Sequence, residues 1–393
     1  MNYKLIPKSY DYFLALLTIG LGVFSIFMIY SATHADLIPQ SVTNDHFILW
    51  SRQRLFIVTG SVLMIVFSLI DYHFITRFYI YIYGFMIVLL LVVLFIGADD
   101  ATNVARWLWI PFPFVGWLSM QPSEFAKIFM IISLAKFLDV NKERFNRPLW
   151  LLIVLGLIMF PVFLVTLQPS LSASMVILSI SLIVLFVGGL YYRTILLGIV
   201  LLAPIGVMIW FDMQREVPIF LTRFLGDFQW RRIETFLNPI IGSDGFLQTQ
   251  GSLYAISTGG LMGRGYMQNP FVILGHNDFI FSVVASQFGF VGAIILLLTV
   301  FLIILRCILT ALHAYDLEGR LIAAGVAGML IFETFFHVGV ATNLLPNTGM
   351  PFPFLSYGGS MIWVHMMAIG MVINVGLPRK PKSIFDDDDE VTI

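Results

Sequence analysis

Ten apolar runs constrain this chain more than any other feature of its sequence, because each can cross a bilayer core about 30 Å thick at about 20 residues per helix. They lie near 11–31, 53–71, 75–97, 121–138, 149–167, 173–190, 194–211, 279–305, 320–345 and 358–376. Period-2 alternation is absent and the runs are too long for barrel strands, so helices, which satisfy their own backbone in lipid, are expected. Charged residues make up 11% of the chain, against about 25% in a soluble domain. The expected fold is an all-α integral membrane protein with ten transmembrane helices and a large extracytoplasmic loop, roughly 212–277, between helices 7 and 8. Residues 1–376 are read as a single polytopic membrane domain and 377–393 as a cytoplasmic acidic tail containing Asp386 to Glu390. The first run follows Lys4 and Lys8 and precedes Ala32-Thr33-His34-Ala35, but it is too long for a signal h-region, so it is read as an uncleaved anchor.

Lys and Arg in the short loops set the orientation. Lys4, Lys8, Arg77, Lys142, Arg144, Arg147, Arg193, Arg306, Arg320, Arg379, Lys380 and Lys382 all fall on one side if the N-terminus is cytoplasmic, and the assignment stays consistent through ten crossings. Both termini are then cytoplasmic and the 212–277 loop faces outward. Arg215, Arg223, Arg231, Arg232 and Arg264 in that loop do not conflict, since long loops translocate largely regardless of charge. The single cysteine, Cys307, excludes an internal disulfide and suits packing. No Lys/Arg-rich block argues for nucleic acid, and no Walker sequence argues for nucleotide hydrolysis.

At the outer boundary of the eighth run stands His276-Asn277-Asp278-Phe279. Asp278 is either a helix cap or a carboxylate placed for chemistry where a polar segment meets an apolar one. Upstream, the 97–120 segment carries Arg106 and three tryptophans, Trp107, Trp109 and Trp117, whose ordinary role is interfacial anchoring. Gln121-Pro122-Ser123-Glu124 opens the fourth helix with proline suited to a first turn, and Glu124 and Lys127, three residues apart, are neighbours on one face. That pair reads equally as a neutralised structural pair or as one wall of a polar cavity. The glycines at 259, 260, 263 and 265 are weak evidence for a phosphate cradle, and a flexible loop is the plainer reading. The stretch from Gly349 to Ser360 has two prolines and paired glycines, which prevent a regular helix and suit either a turn or a cavity lining.

Together these segments resemble the FtsW/RodA/SpoVE (SEDS) family of bacterial cell-wall synthesis. The resemblance rests on Arg106-Trp107, Gln121 to Lys127, Gln168-Pro169, Arg232-Ile233, Ser252 to Ile256 with Gly259-Gly260, Asp278 to Phe281 with Gly289 to Gly292, and Gly349 to Ser360. It implies a multi-pass protein of the bacterial cell membrane that polymerises lipid II into glycan strands with a class B penicillin-binding protein. It also implies that Asp278 is the catalytic residue, with Arg106, Glu124 and Lys127 lining a polar cavity. The wider candidate substrate-binding set adds Gln121, Ser123, Arg232 and His276, together with Ser356, Tyr357, Gly358 and Gly359 of the last loop. No cofactor is assigned; a divalent cation is compatible with pyrophosphate chemistry, but no ligand cluster stands out. The chain departs from the family pattern at Ser170, Ser172, Ser286 and Gln287, where acidic residues or glycine are usual, and at His337 and Asn343. The readings that compete with a polymerase are a catalytically silent partner of a penicillin-binding protein and a lipid II transporter.

Overall fold

Each of the ten apolar runs lies on a helix. In the computed structural model these are α1 (Tyr12–Thr33), α2 (Thr43–Leu69), α4 (Tyr79–Ile96), α5 (Pro122–Val140), α6 (Pro148–Leu167), α7 (Leu171–Val187), α8 (Tyr192–Met213), α11 (Ile280–Leu312), α12 (Leu317–Ala341) and α13 (Gly359–Gly376). The short α3 (Tyr72–Thr76) links α2 to α4, and α9 (Asp227–Leu237) and α10 (Asp244–Gly259) fall within the 212–277 stretch. The structure describes residues 3–5, 10–33, 43–99, 105–112, 116–168, 170–213, 227–239, 242–268 and 272–381. Lys8, His34, Ala35, Pro169, Arg215, Arg223, Lys382 and the acidic stretch 386–390 lie outside the described residues. Among the described residues, seven helices are long and apolar enough to cross a membrane: α1, α2 from Ile48, α4, α6, α11, α12 and α13. The chain is a multi-pass membrane protein. The α7 helix has 17 residues, and α5 carries four charged residues, Glu124, Lys127, Lys136 and Asp139.

Near the termini β1 (Tyr3–Leu5) pairs antiparallel with β5 (Arg379–Pro381), and the segment expected as a loop before α5 is instead a small antiparallel sheet in the order β2 (Ala98–Asp99), β3 (Ala105–Phe112), β4 (Gly116–Met120). Alternate side chains of β3, Trp107 and Trp109, thereby point the same way, which matters for the site below.

The α12 and α13 helices are the most enclosed spans, whereas α4 shows most of its surface outward. Close approach of α2 and α13 depends on glycine. A Cβ on Gly370 would stand 2.4 Å from the Met64 carbonyl oxygen, and one on Gly359 would stand 2.8 Å from the Phe56 ring. In lipid, where apolar burial gives little drive between helices, such small-residue contacts hold helices together.

The glycine cluster after α10 is neither a flexible loop nor a phosphate cradle. Gly289 adopts φ 67°, ψ −164° inside α11, which breaks the helical hydrogen-bond ladder there. The 260–265 segment repairs the break: Arg264 and Gly265 N–H donate to the carbonyls of Ser286 (3.0 Å) and Gln287 (3.1 Å), and Phe290 and Val291 N–H donate to those of Gly260 (2.9 Å) and Leu261 (3.1 Å). Backbones this close exclude side chains, for a Cβ on Gly263 would lie 2.1 Å from the Gln287 carbonyl oxygen. The N–H groups that could have cradled an anion are spent on this clasp.

At the end of the bundle away from the site, His73 of α3 lies between Asp71 (2.9 Å) and Asp316 (2.7 Å). Beside it, Glu318 accepts hydrogen bonds from Thr76 and Lys136. Burial alone would lower the His73 pKa, but bonds to Asp316 and Asp71 overcome it and hold the imidazole up at about 9. Burial likewise opposes ionisation of Asp316, yet His73 and the Gly319 N–H hold its carboxyl down at about 2. A raised histidine stabilises the fold below its unfolded value and is lost as pH rises through the folded one; a lowered aspartate is lost as pH falls through its own. Relative to His73→Gln, the thermal midpoint of the wild type is therefore expected to fall as pH rises from 6.5 through about 9 and as pH drops from 3.8 through about 2. Parallel midpoint–pH curves for the two proteins would show that the pin contributes nothing.

Candidate functional site

The opposite end of the bundle opens into a polar cavity of about 270 Å³. Its walls come from well-separated parts of the chain: Arg52 and Phe56 of α2, Trp107 and Trp109 of β3, Gln121 and Glu124 of α5, Ser170 and Ser172 at the start of α7, Asn277 and Asp278 before α11, and the 349–361 stretch. Trp107 and Trp109 therefore line the site, Trp109 while remaining partly exposed, and Trp117 keeps the outward position expected of all three.

Asp278 does not cap a helix. The N-cap of α11 is Phe279, with no side-chain cap bond, so the Asp278 carboxylate is left to face the cavity. It opens onto that space while protein encloses it on its other sides. Burial raises its pKa above the ordinary carboxylate range, and the charges of Arg232 and Arg106 work against that rise. Arg232 comes from α9, so the helix in the long segment exists to bring a guanidinium over Asp278. Its own pKa is lowered by burial, with Asp278 opposing.

Both side chains converge on Gly349, whose φ is +70°. A Cβ there would stand 2.9 Å from Arg232 Nη1 and 3.4 Å from Asp278 Oδ2. Gly349→Ala is expected to push the pair apart and lower activity by about 10²-fold, the penalty of misplacing a reacting group by about 1 Å. Normal expression and thermal midpoint with lost activity would confirm this; wild-type activity would show that the glycine serves only the turn.

The Gly349–Ser360 stretch is pinned to the aspartate's own segment. Phe352 N–H donates to Ser356 Oγ (2.8 Å), the Ser356 hydroxyl donates to the Asn277 carbonyl (2.7 Å), and Tyr357 N–H donates to the His276 carbonyl (2.9 Å). Ser356 and His276 are thus braces of the wall. The His276 ring meets Tyr357 edge to face at 6.1 Å, and Tyr357, Gly358 and Gly359 do line the cavity. Gln121 N–H donates to Ser360 Oγ (3.0 Å), which ties α5 to the same stretch.

Glu124 is the visible tip of a buried chain of charges. Lys127 Nζ sits 2.7 Å from Glu124 Oε2 and 2.6 Å from Glu333 Oε1, and His365 Nε2 sits 2.5 Å from Glu333 Oε2. Lys127 is 1% exposed and Ser123 likewise buried, so both stand behind the wall. Sequence reasoning missed Arg52, Asn277, Glu333 and His365. An ionisable residue well inside each of two largely apolar runs was the available signal for the last two. Ser286 and Gln287 lie away from the cavity, in the clasp around Gly289, whereas Ser170 and Ser172 line it. Among the described residues no group of three or more His, Cys, Asp or Glu side chains is placed to hold a metal ion.

Known proteins are similar to this chain across nearly its whole length. The probable peptidoglycan glycosyltransferase FtsW of Geobacter metallireducens is 32% identical, covering 97% of this chain and 99% of its own. Stage V sporulation protein E of Bacillus subtilis is 32% identical over 93% of this chain and 97% of its own, and peptidoglycan glycosyltransferase MrdB of Escherichia coli is 32% identical over 93% of each. Among solved structures, a chain of a peptidoglycan synthase complex superposes with a TM-score of 0.74 at 28% identity, covering 94% of this chain and 98% of that one. Rod shape determining protein RodA of Thermus thermophilus gives 0.64 at 26% identity, covering 94% and 97%. The family model described as a cell cycle protein, FtsW/RodA/SpoVE, matches residues 11–380, and the chain belongs to that family.

Proposed function

We propose that this protein is a peptidoglycan glycosyltransferase of the bacterial cell membrane that polymerises lipid II on the extracytoplasmic face, with both termini cytoplasmic. One observation carries the reading: the Asp278 carboxylate, at the start of an apolar span, faces a polar cavity with two arginines acting on it. The sugar 4-hydroxyl of an incoming lipid II attacks the anomeric carbon of the growing strand's terminal sugar. The carbon–oxygen bond to undecaprenyl pyrophosphate breaks, and the hydroxyl proton passes to Asp278. A hydroxyl is a poor nucleophile, so a positioned base accelerates this step, and a base whose pKa is raised towards the working pH does so best. Arg232 and Arg106 are suited to the negative charge that grows on the departing pyrophosphate. Tryptophans 107 and 109 give the sugar rings an apolar floor. The relatives named as peptidoglycan glycosyltransferases and the likeness to a peptidoglycan synthase complex support this reading and a class B penicillin-binding protein as partner.

The test is glycan synthesis from lipid II by the purified protein, with and without that partner. Strands of increasing length are the expected result. Intact complex without strands would make this a silent partner, and lipid II moved across a vesicle membrane without being lengthened would make it a transporter.

A further inference from the structure

We infer that Glu333 and His365 share one buried proton and, through Lys127, act as positioning residues that keep the cavity wall electrically neutral. The argument begins with donors and acceptors. His365 Nδ1 lies 2.7 Å from the Met361 carbonyl oxygen, which can only accept, so Nδ1 carries hydrogen. His365 Nε2 lies 2.5 Å from Glu333 Oε2. A neutral imidazole protonated at Nδ1 presents a lone pair at Nε2, and an ionised carboxylate is also acceptor-only, so a bare contact between them would be repulsive. A proton must sit between the two, on one atom or the other. His337, one turn further along α12, makes the contrast: its Nδ1 faces the Met350 carbonyl (2.8 Å) and its Nε2 accepts from Phe281 N–H (3.4 Å), which satisfies a neutral ring.

With that proton in place the cluster of Glu124, Lys127, Glu333 and His365 sums to zero. Without it the sum is −1, in a setting where Glu333 and His365 are fully buried. The groups acting on Glu333 are Lys127 from α5 and His365 from α13. On the cavity side stand Glu124 itself, Arg52 and Asp278. The α7 helix, packed against α5 and α12, carries no ionisable residue. Lys127 divides its charge between Glu124 on the wall and Glu333 behind it. The state of the shared proton therefore decides whether the wall repels an anion. This rests on the reading of the cavity as the site of a lipid pyrophosphate, and it adds two residues, one on α12 and one on α13, to that site.

Full-length protein in lipid nanodiscs tests both halves. A strongly downfield proton resonance is expected in the wild type and is expected to vanish in Glu333→Gln and in His365→Gln; a wild type without it overturns the inference. For the role, KM and kcat for lipid II are followed with pH. In the wild type KM is expected to rise on the alkaline side by about tenfold as the proton leaves and a like charge faces the substrate. In Glu333→Gln, where the cluster stays neutral, KM should change by less than about twofold over the same range. Superimposable pH profiles for the two proteins would overturn the role. If neither variant folds, the wild-type resonance and its alkaline limb decide together. Failure of the wild type to make any glycan would overturn the polymerase reading instead, and the resonance alone would then decide whether the proton is shared.

Discussion

Asp278→Asn is expected to lose glycan polymerisation by about 10²–10⁴-fold, the contribution of a positioned general base, while its thermal midpoint stays at or above that of the wild type. The second half follows from the direction of the shift. Burial raises the Asp278 pKa more than Arg232 and Arg106 lower it, so the native state favours the neutral carboxyl. A group raised in this way contributes stability at low pH that is lost as pH rises through the folded value, so at neutral pH the ionised carboxylate is a net cost to the fold. Asparagine removes that charge and keeps the shape. The wild-type rate should also decline as pH falls, with a midpoint above the ordinary value of 3.8, because only the ionised form accepts a proton. Polymerisation and thermal unfolding measured on one preparation check both halves together. An Asn variant that polymerises at the wild-type rate removes Asp278 from the mechanism; one that is inactive but clearly less stable means that the arginines need the carboxylate for structure.

Lys127→Met is expected to have the largest effect on stability, about 3–5 kcal/mol, because it leaves Glu124 on the wall and Glu333 behind it with no cation between them. Surface ion pairs are worth far less, with a median of about 0–1 kcal/mol, but Lys127 is buried and bridges two helices. The loss should appear as a reduced folded fraction in membranes and a lowered thermal midpoint in detergent. A Lys127→Met protein that unfolds with the wild type would show that the carboxylates take up protons at no net cost. That result would also weaken the case that the cluster controls the charge of the cavity wall.

Much of the molecule was legible before any coordinates. Apolar runs of helical length name the helices, because lipid leaves the backbone few other choices. Pro122 at a first helical position and Glu124 and Lys127 three residues apart give the start and one face of α5, since these are local relations. Other features were illegible for equally physical reasons. A tryptophan in the segment before a helix can anchor an interface or line a cavity, and only the pairing of β3 with β2 and β4 brings Trp107 and Trp109 to the cavity. A glycine cluster reads as a flexible loop until the strained Gly289 of another element is seen to need its N–H groups.

The sequence by itself determined that this is a helical membrane protein with a lone carboxylate, Asp278, at the start of an apolar run, because hydropathy and residue spacing act along the chain. Tertiary structure alone decided which charges meet it. Arg106, Arg232 and Asp278 come from three separate elements, and Glu124, Lys127, Glu333 and His365 from three helices. The physical reason is range: backbone satisfaction and hydrophobic period are fixed within a few residues of one another, whereas Coulomb interactions and shared protons depend on distances of a few ångströms between residues far apart in the chain.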